Sequence, residues 1–166
     1  MSTAMIYKTV STSSDDTARL GELLGQILKA PAVVELRSDL GGGKTTFAKG
    51  LAKGFGINEA LTSPTFSICK TYKSKTGSQL HHYDFYRLDE PGIIADQIEQ
   101  SLKDLNTLTI VEWADIVKSA LPENHLAVVI KPIDNDSNQR EIEFHYPESK
   151  FALIKQLEMA WQGIKP

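Results

Sequence analysis

The sequence has little of several features that define common protein classes. It contains one cysteine, Cys69, so it cannot form an internal disulfide, which fits a cytoplasmic protein without proving that location. No stretch approaches the roughly 20 apolar residues that a membrane-spanning helix needs. Residues 1–11 also lack the basic region and apolar run of a secretory signal. We therefore expect a cytoplasmic protein with no membrane segment.

Positive charge is also scarce. The 166 residues carry a net charge of −3, and the sequence pI is about 5.8. A domain that grips nucleic acid by its backbone is usually basic, so direct, strong binding of tRNA or DNA is disfavoured. The length suits one domain with a real core, and no repeat or linker divides the chain. Residues 1–166 are therefore predicted to form a single domain.

Three consecutive glycines, Gly41 to Gly43, by contrast, stand in one loop. It follows a mostly apolar strand predicted over 32–37 and precedes an amphipathic helix that begins at Lys44. Successive glycines let backbone N–H groups converge on an anion, and the helix start adds free N–H groups and a positive dipole end. Lysine there suits the β and γ phosphates of a triphosphate, and the next threonine suits Mg²⁺. The predicted nucleotide-binding residues of the loop are Asp39, Leu40, Gly41, Gly42, Gly43, Lys44, Thr45 and Thr46.

A chance glycine-rich turn is the alternative interpretation of this loop. The strand before it and the helix after it are the context that the phosphate-binding motif requires, so we favour the functional interpretation. One position departs from the full pattern, which has glycine five residues before Gly43, where this chain has Ser38. Serine would strain the turn at positive φ and would be harmless at negative φ.

The remaining chain alternates predicted strands and helices. A helix capped by Ser14 or Asp15 should follow a first strand, and Thr76-Gly77-Ser78 should join two strands as an antiparallel hairpin. The other predicted strands are 4–10, 66–74, 79–86, 108–113, 125–131 and 140–146, with helices over 92–105 and near the C-terminus. This order predicts an α/β protein with a three-layer P-loop NTPase fold, whose mostly parallel sheet has antiparallel strands added.

Two carboxylates in later strands are candidates for chemistry. Glu112 ends the strand 108–113, and an acid beside a P-loop strand holds Mg²⁺ directly or through water, although a solvated strand-end glutamate is the alternative. Asp84 shares a strand face with His82 and is expected to orient the attacking water or hold a Mg²⁺-bound water. Its alternative role is that of a structural carboxylate paired with Arg87 or a histidine.

The remaining candidates carry weaker signals. Thr65, in Ser63-Pro64-Thr65, lies where nucleotide switches sense Mg²⁺ and the γ-phosphate, but the motif taken alone favours an ordinary proline-containing turn. His81 and His82 have no partner at metal-ligand spacing and are interpreted as structural. Trp113 follows Glu112 directly and, on general grounds, favours a core position.

Four segments together resemble a known family. They match, in order and spacing, motifs of the bacterial TsaE (YjeE) family, the small ATPases of tRNA threonylcarbamoyladenosine biosynthesis. The segments are Asp39-Leu40-Gly41-Gly42-Gly43-Lys44-Thr45-Thr46, Ser63-Pro64-Thr65, His82-x-Asp84-x-Tyr86-Arg87-Leu88 and Glu112-Trp113. The chain departs from the family at Ser38, usually glycine, and at Gly42, usually alanine.

The resemblance implies a function that composition does not show. It implies weak ATP hydrolysis by the isolated chain, with ATP and Mg²⁺ as cofactors. It also implies action with TsaB and TsaD, the partners that transfer the threonylcarbamoyl group to tRNA and hold that tRNA. The roles it implies are phosphate binding and catalysis by Lys44, Mg²⁺ binding by Thr45 and Glu112, catalysis by Asp84, switching by Thr65 and nucleotide contact by Trp113.

Two other functions stay open from the residues alone. A small-molecule P-loop kinase would close an arginine-bearing lid over the phosphates, but the four arginines are scattered and residues 114–124 are short for a lid. A nucleotide-dependent binding switch without significant turnover would need few catalytic groups, as seen here. The guanine-reading NKxD string is absent, so ATP is favoured over GTP.

Overall fold

A seven-stranded mixed sheet forms the centre of the computed structural model, which describes residues 4–64, 67–90, 92–134 and 136–164. The strands are β1 (Met5–Ser11), β2 (Ala32–Arg37), β3 (Cys69–Lys73), β4 (Gln79–Asp84), β5 (Thr107–Glu112), β6 (Leu126–Ile133) and β7 (Asp136–Tyr146). The helices are α1 (Ser14–Ile27), α2 (Lys44–Phe55), α3 (Gly92–Lys103) and α4 (Phe151–Ile164). A 3-10 helix, Ala114–Ala120, follows β5, and a 3-10 turn, Glu148–Lys150, precedes α4.

The strand order confirms the predicted mixture of parallel and antiparallel pairing. Across the sheet it is β1-β7-β6-β2-β5-β4-β3. The central strands β6, β2, β5 and β4 are parallel, whereas β3, β7 and β1 add antiparallel pairs at the two sides. The carboxyl ends of β2, β4 and β5 therefore meet at one edge of the sheet, where open α/β sheets bind ligands.

Helices cover the sheet on both faces, as the three-layer prediction requires. On one face, α1, α2 and α4 bury the larger apolar cluster, which includes Leu24, Phe47 and Trp161. On the other face, α3 and the 3-10 helix bury a smaller cluster around Ile98 and Val117. The alternating side chains of the central strands supply both clusters.

The helix that follows the phosphate loop, α2, packs closely against α1. A Cβ built on Gly50 of α2 would overlap the carbonyl oxygen of Ala18 in α1, and Gly21 of α1 lies equally close to the backbone of α2. Glycine is required at these positions because the two helix backbones touch.

Local differences from the predicted elements have local causes. Ser13 caps α1, because its Oγ accepts the backbone N–H of Asp16 at 3.1 Å; the prediction of Ser14 or Asp15 was wrong by one or two residues. The hairpin strand predicted to end at residue 86 ends at Asp84, where its side chain accepts the backbone N–H of Tyr86 and turns the chain.

Candidate functional site

The glycine-rich loop joins the end of β2 to the start of α2. Gly41 and Gly43 have φ values of 74° and 109°, which glycine adopts without strain. Gly43 is also the N-cap residue of α2, and no side chain caps the helix there. The first backbone N–H groups of α2 thus stay available for an anion at the positive end of the helix dipole.

Backbone carbonyl groups of the loop hold the Lys44 side chain in place. Its Nζ donates hydrogen bonds to the carbonyl oxygens of Ser38 and Asp39, at 2.9 Å and 3.2 Å, and lies 4.7 Å from the centre of the Trp113 ring. Burial lowers the pKa of Lys44, and the carboxylates of Glu112, Asp84 and Asp39 oppose that shift. The ammonium group is therefore already positioned at the loop, among negative charges.

One cleft of about 300 Å³ brings together most of the predicted site residues. It is lined by Leu40, Gly41, Gly42, Gly43, Lys44, Thr45, Thr46, Ser63, Asp84, Tyr86, Glu112 and Trp113. A second cavity of about 440 Å³ lies beside it and is lined by Ser38, Asp39 and the other side of Trp113. Trp113 therefore forms a wall shared by the two spaces.

The two carboxylates lie on neighbouring strands at the edge of the sheet where the loop begins. Asp84 of β4 pairs in register with Glu112 of β5, and Glu112 also pairs with Leu36 of β2, one residue before the end of that strand. Glu112 is only 3% exposed, so it is not a solvated strand-end residue. Burial and the negative charge of Glu112 raise the pKa of Asp84, while the Tyr86 N–H opposes the shift.

Asp84 does not serve as a simple ion-pair partner of Arg87. Its Oδ1 accepts the backbone N–H of Tyr86 at 3.0 Å, and among the described residues no Asp84–Arg87 ion pair is formed. Arg87 is exposed. The half-buried carboxylate of Asp84 thus faces the cleft rather than a structural cation.

His82 is a site residue that the spacing argument missed. It is completely buried, and its Nε2 lies 2.9 Å from Glu112 Oε1. The two residues are 30 positions apart, and only the parallel pairing of β4 with β5 brings them together. Strand alternation placed His82 on the same face as Asp84, which was the one available signal.

Trp113 has an unusual backbone. With φ 56° and ψ 49°, it is the only residue other than glycine with positive φ among residues 4–64, 67–90, 92–134 and 136–164. Its ring packs against Tyr86, with 5.1 Å between the ring centres, and against the Lys44 ammonium. Trp113 therefore belongs to the cleft wall, and the backbone turn there directs its ring toward the loop.

Ser38 is not in the left-handed region, so its departure from glycine does not strain the loop. Its Oγ donates to the Asp39 carbonyl oxygen at 2.9 Å. Arg140 of β7 approaches the same loop, and its Nε donates to the Gly42 carbonyl oxygen at 3.1 Å. Thr65, the predicted switch residue, lies outside the described residues, so its role stays a prediction.

The donors at the cleft suit a Mg²⁺ ion that shares its ligands with phosphates. In the part of the chain that the structure describes, no group of three or more His, Cys, Asp or Glu side chains could hold a metal by itself. A hydroxyl on Thr45 and a carboxylate on Glu112, on the same cleft, fit the mode in which Mg²⁺ keeps waters and takes one or two protein ligands plus substrate oxygens.

The fold and the loop define an α/β protein of the P-loop class. The family model for threonylcarbamoyl adenosine biosynthesis protein TsaE matches residues 11–142. The chain belongs to the TsaE family, which acts in tRNA threonylcarbamoyladenosine biosynthesis.

Individual relatives support this assignment over most of the chain. The tRNA threonylcarbamoyladenosine biosynthesis protein TsaE of Treponema pallidum (strain Nichols) is 36% identical over 130 residues, covering 78% of this chain and 95% of that protein. The Bacillus subtilis (strain 168) protein of the same name is 32% identical over 147 residues, which cover 87% of this chain and 88% of that protein. The crystal structure of B. subtilis YdiB superposes with a TM-score of 0.75 at 28% identity, over 96% of this chain and 99% of that one.

None of the helices in the described part of the chain is both long and apolar enough to span a bilayer.

Proposed function

We propose that this protein binds ATP with Mg²⁺ and hydrolyses it weakly by itself, in the service of tRNA threonylcarbamoyladenosine formation. The observation that carries the proposal is the convergence of Lys44, Thr45, Asp84 and Glu112 on one cleft at the start of α2. A loop that binds phosphate, a hydroxyl and a buried carboxylate are the parts that P-loop phosphoryl transfer uses.

Each side chain has a definite task in this proposal. Lys44 leaves the Ser38 and Asp39 carbonyl oxygens and donates to the β and γ phosphates, where it stabilises the charge that develops as the bond breaks. Thr45 and Glu112 would hold Mg²⁺, which when bound neutralises the phosphate oxygens. Asp84, whose pKa is raised by burial and by the charge of Glu112, orients the attacking water.

ATP is the favoured nucleotide because nothing in the chain recognises guanine. The NKxD string is missing, and Lys131-Pro132-Ile133-Asp134 only echoes it. Arg140 contacts the loop through Gly42 and pairs with Ser11, the last residue of β1. Arg140 and the segment around Ser13, which follows β1, are candidates for the base side of the site. Their contact with the base is part of the proposal.

Partners complete the proposed activity. TsaB and TsaD would stimulate turnover and hold the tRNA, because a chain with a net charge of −3 is poorly suited to grip tRNA by its backbone. Since tRNA modification in bacteria takes place in the cytoplasm, we propose that location for the protein, with residues 1–166 acting as one domain.

The kinase alternative has less support from the structure. The segment after β5 is a short 3-10 helix, Ala114–Ala120, whose apolar side chains pack into the smaller apolar cluster. A nucleotide switch without significant turnover differs from the proposal only in rate.

Calorimetry on the loop tests nucleotide binding. Lys44→Ala should abolish tight binding of ATP, whereas Lys49→Ala, which removes an exposed lysine from the same helix, should leave it intact. Unchanged ATP affinity in Lys44→Ala would overturn the site. Phosphate release measured with and without TsaB and TsaD then separates the two remaining functions: a rate that stays flat with partners present supports the switch, and a phosphorylated metabolite would support the kinase.

A further inference from the structure

His82 lies directly behind the carboxylate that faces the cleft. Its imidazole is fully buried on β4, the strand next to the edge strand β3, and does not line the nucleotide cleft, whereas Glu112 does. The Nε2 atom is 2.9 Å from Glu112 Oε1, and Nδ1 is a buried atom with no hydrogen-bond partner in the described structure. An imidazole that serves only to fill space would be a poor choice here, because burying an unpartnered polar atom costs free energy.

The contact constrains both groups. An ionised carboxylate only accepts hydrogen bonds, so the imidazole must carry its proton on Nε2 and donate it to Oε1. Because Oε1 is engaged by His82 and Glu112 lines the cleft, its second oxygen is the one left for a ligand there. Asp84 pairs in register beside Glu112, and repulsion between the two carboxylates would otherwise favour a rotation of Glu112 away from Asp84.

We propose that His82 is a positioning residue, whose Nε2–H group holds Glu112 in the orientation that presents Oε2 to a Mg²⁺ ion or its water. This inference rests on the proposed Mg²⁺ role of Glu112. It is the arrangement in which a second residue fixes the rotamer of a metal ligand without touching the metal itself.

Two amide side chains provide matched variants of His82. The nitrogen of glutamine reaches the position of the histidine Nε2 atom, whereas the nitrogen of asparagine reaches only the position of Nδ1. His82→Gln therefore keeps a donor for Glu112, and His82→Asn loses it while keeping the same polarity. His82→Leu removes the donor and also removes the unpartnered Nδ1 atom.

The main experiment measures how ATP binding depends on Mg²⁺, by calorimetry over a series of Mg²⁺ concentrations. His82→Asn and His82→Leu should raise the Mg²⁺ concentration that gives half of the maximal increase in ATP affinity, by about tenfold or more. A loss of this size is usual when a residue that hydrogen-bonds to a metal ligand is removed. His82→Gln should stay within roughly threefold of the wild type. ATP affinity without Mg²⁺ should not differ among the folded variants.

Other outcomes separate the two proposals. If Mg²⁺ strengthens ATP binding in the wild type, and the asparagine and glutamine variants respond to it alike, the positioning role is wrong. If Mg²⁺ has no effect on ATP binding in the wild type, or if Glu112→Ala responds to Mg²⁺ as the wild type does, the Mg²⁺ role of Glu112 itself fails.

A second measurement keeps the inference testable if a variant does not fold. Two-bond ¹⁵N–¹H NMR correlations of the wild-type imidazoles show which ring nitrogen carries the proton. We expect the proton of His82 on Nε2. A proton on Nδ1 alone would overturn the inference, because Nε2 could then not donate to Glu112.

Discussion

Ser38 and Gly42 use the same space inside the phosphate loop. A Cβ atom built on Gly42 would overlap Ser38 Oγ and would lie 3.0 Å from Ser38 Cβ. Neither residue is at positive φ, so this is a conflict of volume and not of backbone conformation. Serine at position 38 therefore fits because position 42 has no side chain.

The first prediction follows from this shared volume. Gly42→Ala should destabilise the protein by about 1–3 kcal/mol, the usual cost of overpacking, and Ser38→Gly should recover most of that loss in the double variant. Recovery should be incomplete, since the Cβ would still lie 2.9 Å from the Asp39 carbonyl oxygen. Urea unfolding of the four proteins measures the coupling.

Gly43→Ala is the control for that cycle. Its φ of 109° strains any side chain, and a Cβ there would not approach Ser38. Ser38→Gly should therefore not recover the stability lost in Gly43→Ala. Additive effects of Ser38→Gly and Gly42→Ala would show that the two positions do not compete for space.

The second prediction concerns the contact between α1 and α2. Gly50→Ala should cost about 1–3 kcal/mol of unfolding free energy, because the new methyl group would overlap the Ala18 backbone, which cannot move without shifting α1. Gly163→Ala in α4 has open space around it and should be neutral or stabilising by up to about 1 kcal/mol. Thermal unfolding compares the two. Equal midpoints would contradict the close packing of the helices.

The third prediction uses Trp113 as a reporter. Lys44 Nζ lies 4.7 Å from its ring centre, and nucleotide binding should draw the ammonium toward the phosphates. The other tryptophan, Trp161, is 2% exposed in α4 and should not respond. ATP should therefore change the fluorescence of Trp161→Phe but not that of Trp113→Phe. If ATP left the fluorescence of Trp161→Phe unchanged, the movement would be refuted, because Trp113 is the tryptophan that remains in that variant.

The fourth prediction concerns stability at acid pH. Glu35 is 4% exposed; burial raises its pKa, but hydrogen bonds and charge from His125 and Arg37 outweigh that effect and lower the pKa from 4.5 to about 2. A carboxylate with a lowered folded-state pKa contributes stability that is complete above pH 4.5 and is lost as the pH falls toward 2. The contribution amounts to about 3 kcal/mol.

Urea unfolding between pH 7 and pH 2 checks this contribution. The difference in unfolding free energy between the wild type and Glu35→Gln should shrink by about 3 kcal/mol as the pH falls. Glu59 is exposed, so Glu59→Gln should follow the wild type at every pH. Parallel curves for the wild type and Glu35→Gln would mean that the ion pairs with Arg37 and His125 do not lower the pKa of Glu35.

Local sequence signals predicted most of the fold. The strand 32–37 and the helix start at Lys44 agree with the structure because an apolar run, a glycine loop and an amphipathic stripe each act within a few residues. The predicted ends of helices differ from the structure by one or two residues where neighbouring residues can cap equally well, as with Ser13 and Ser14 at the start of α1. The 3-10 helix after β5 carries no periodic signal and was not predicted.

The sequence by itself determined the phosphate loop, the P-loop class and the identity of the candidate carboxylates, because those features depend on residues that are neighbours along the chain. Only the tertiary structure decided which of them act together. The pairing of β4 with β5 places Asp84 beside Glu112 and places His82 behind it, across a separation of 30 residues. The tertiary structure also shows that Ser38 and a side chain at position 42 would compete for the same volume. Contacts of this kind depend on strand order and close packing, which no local pattern encodes.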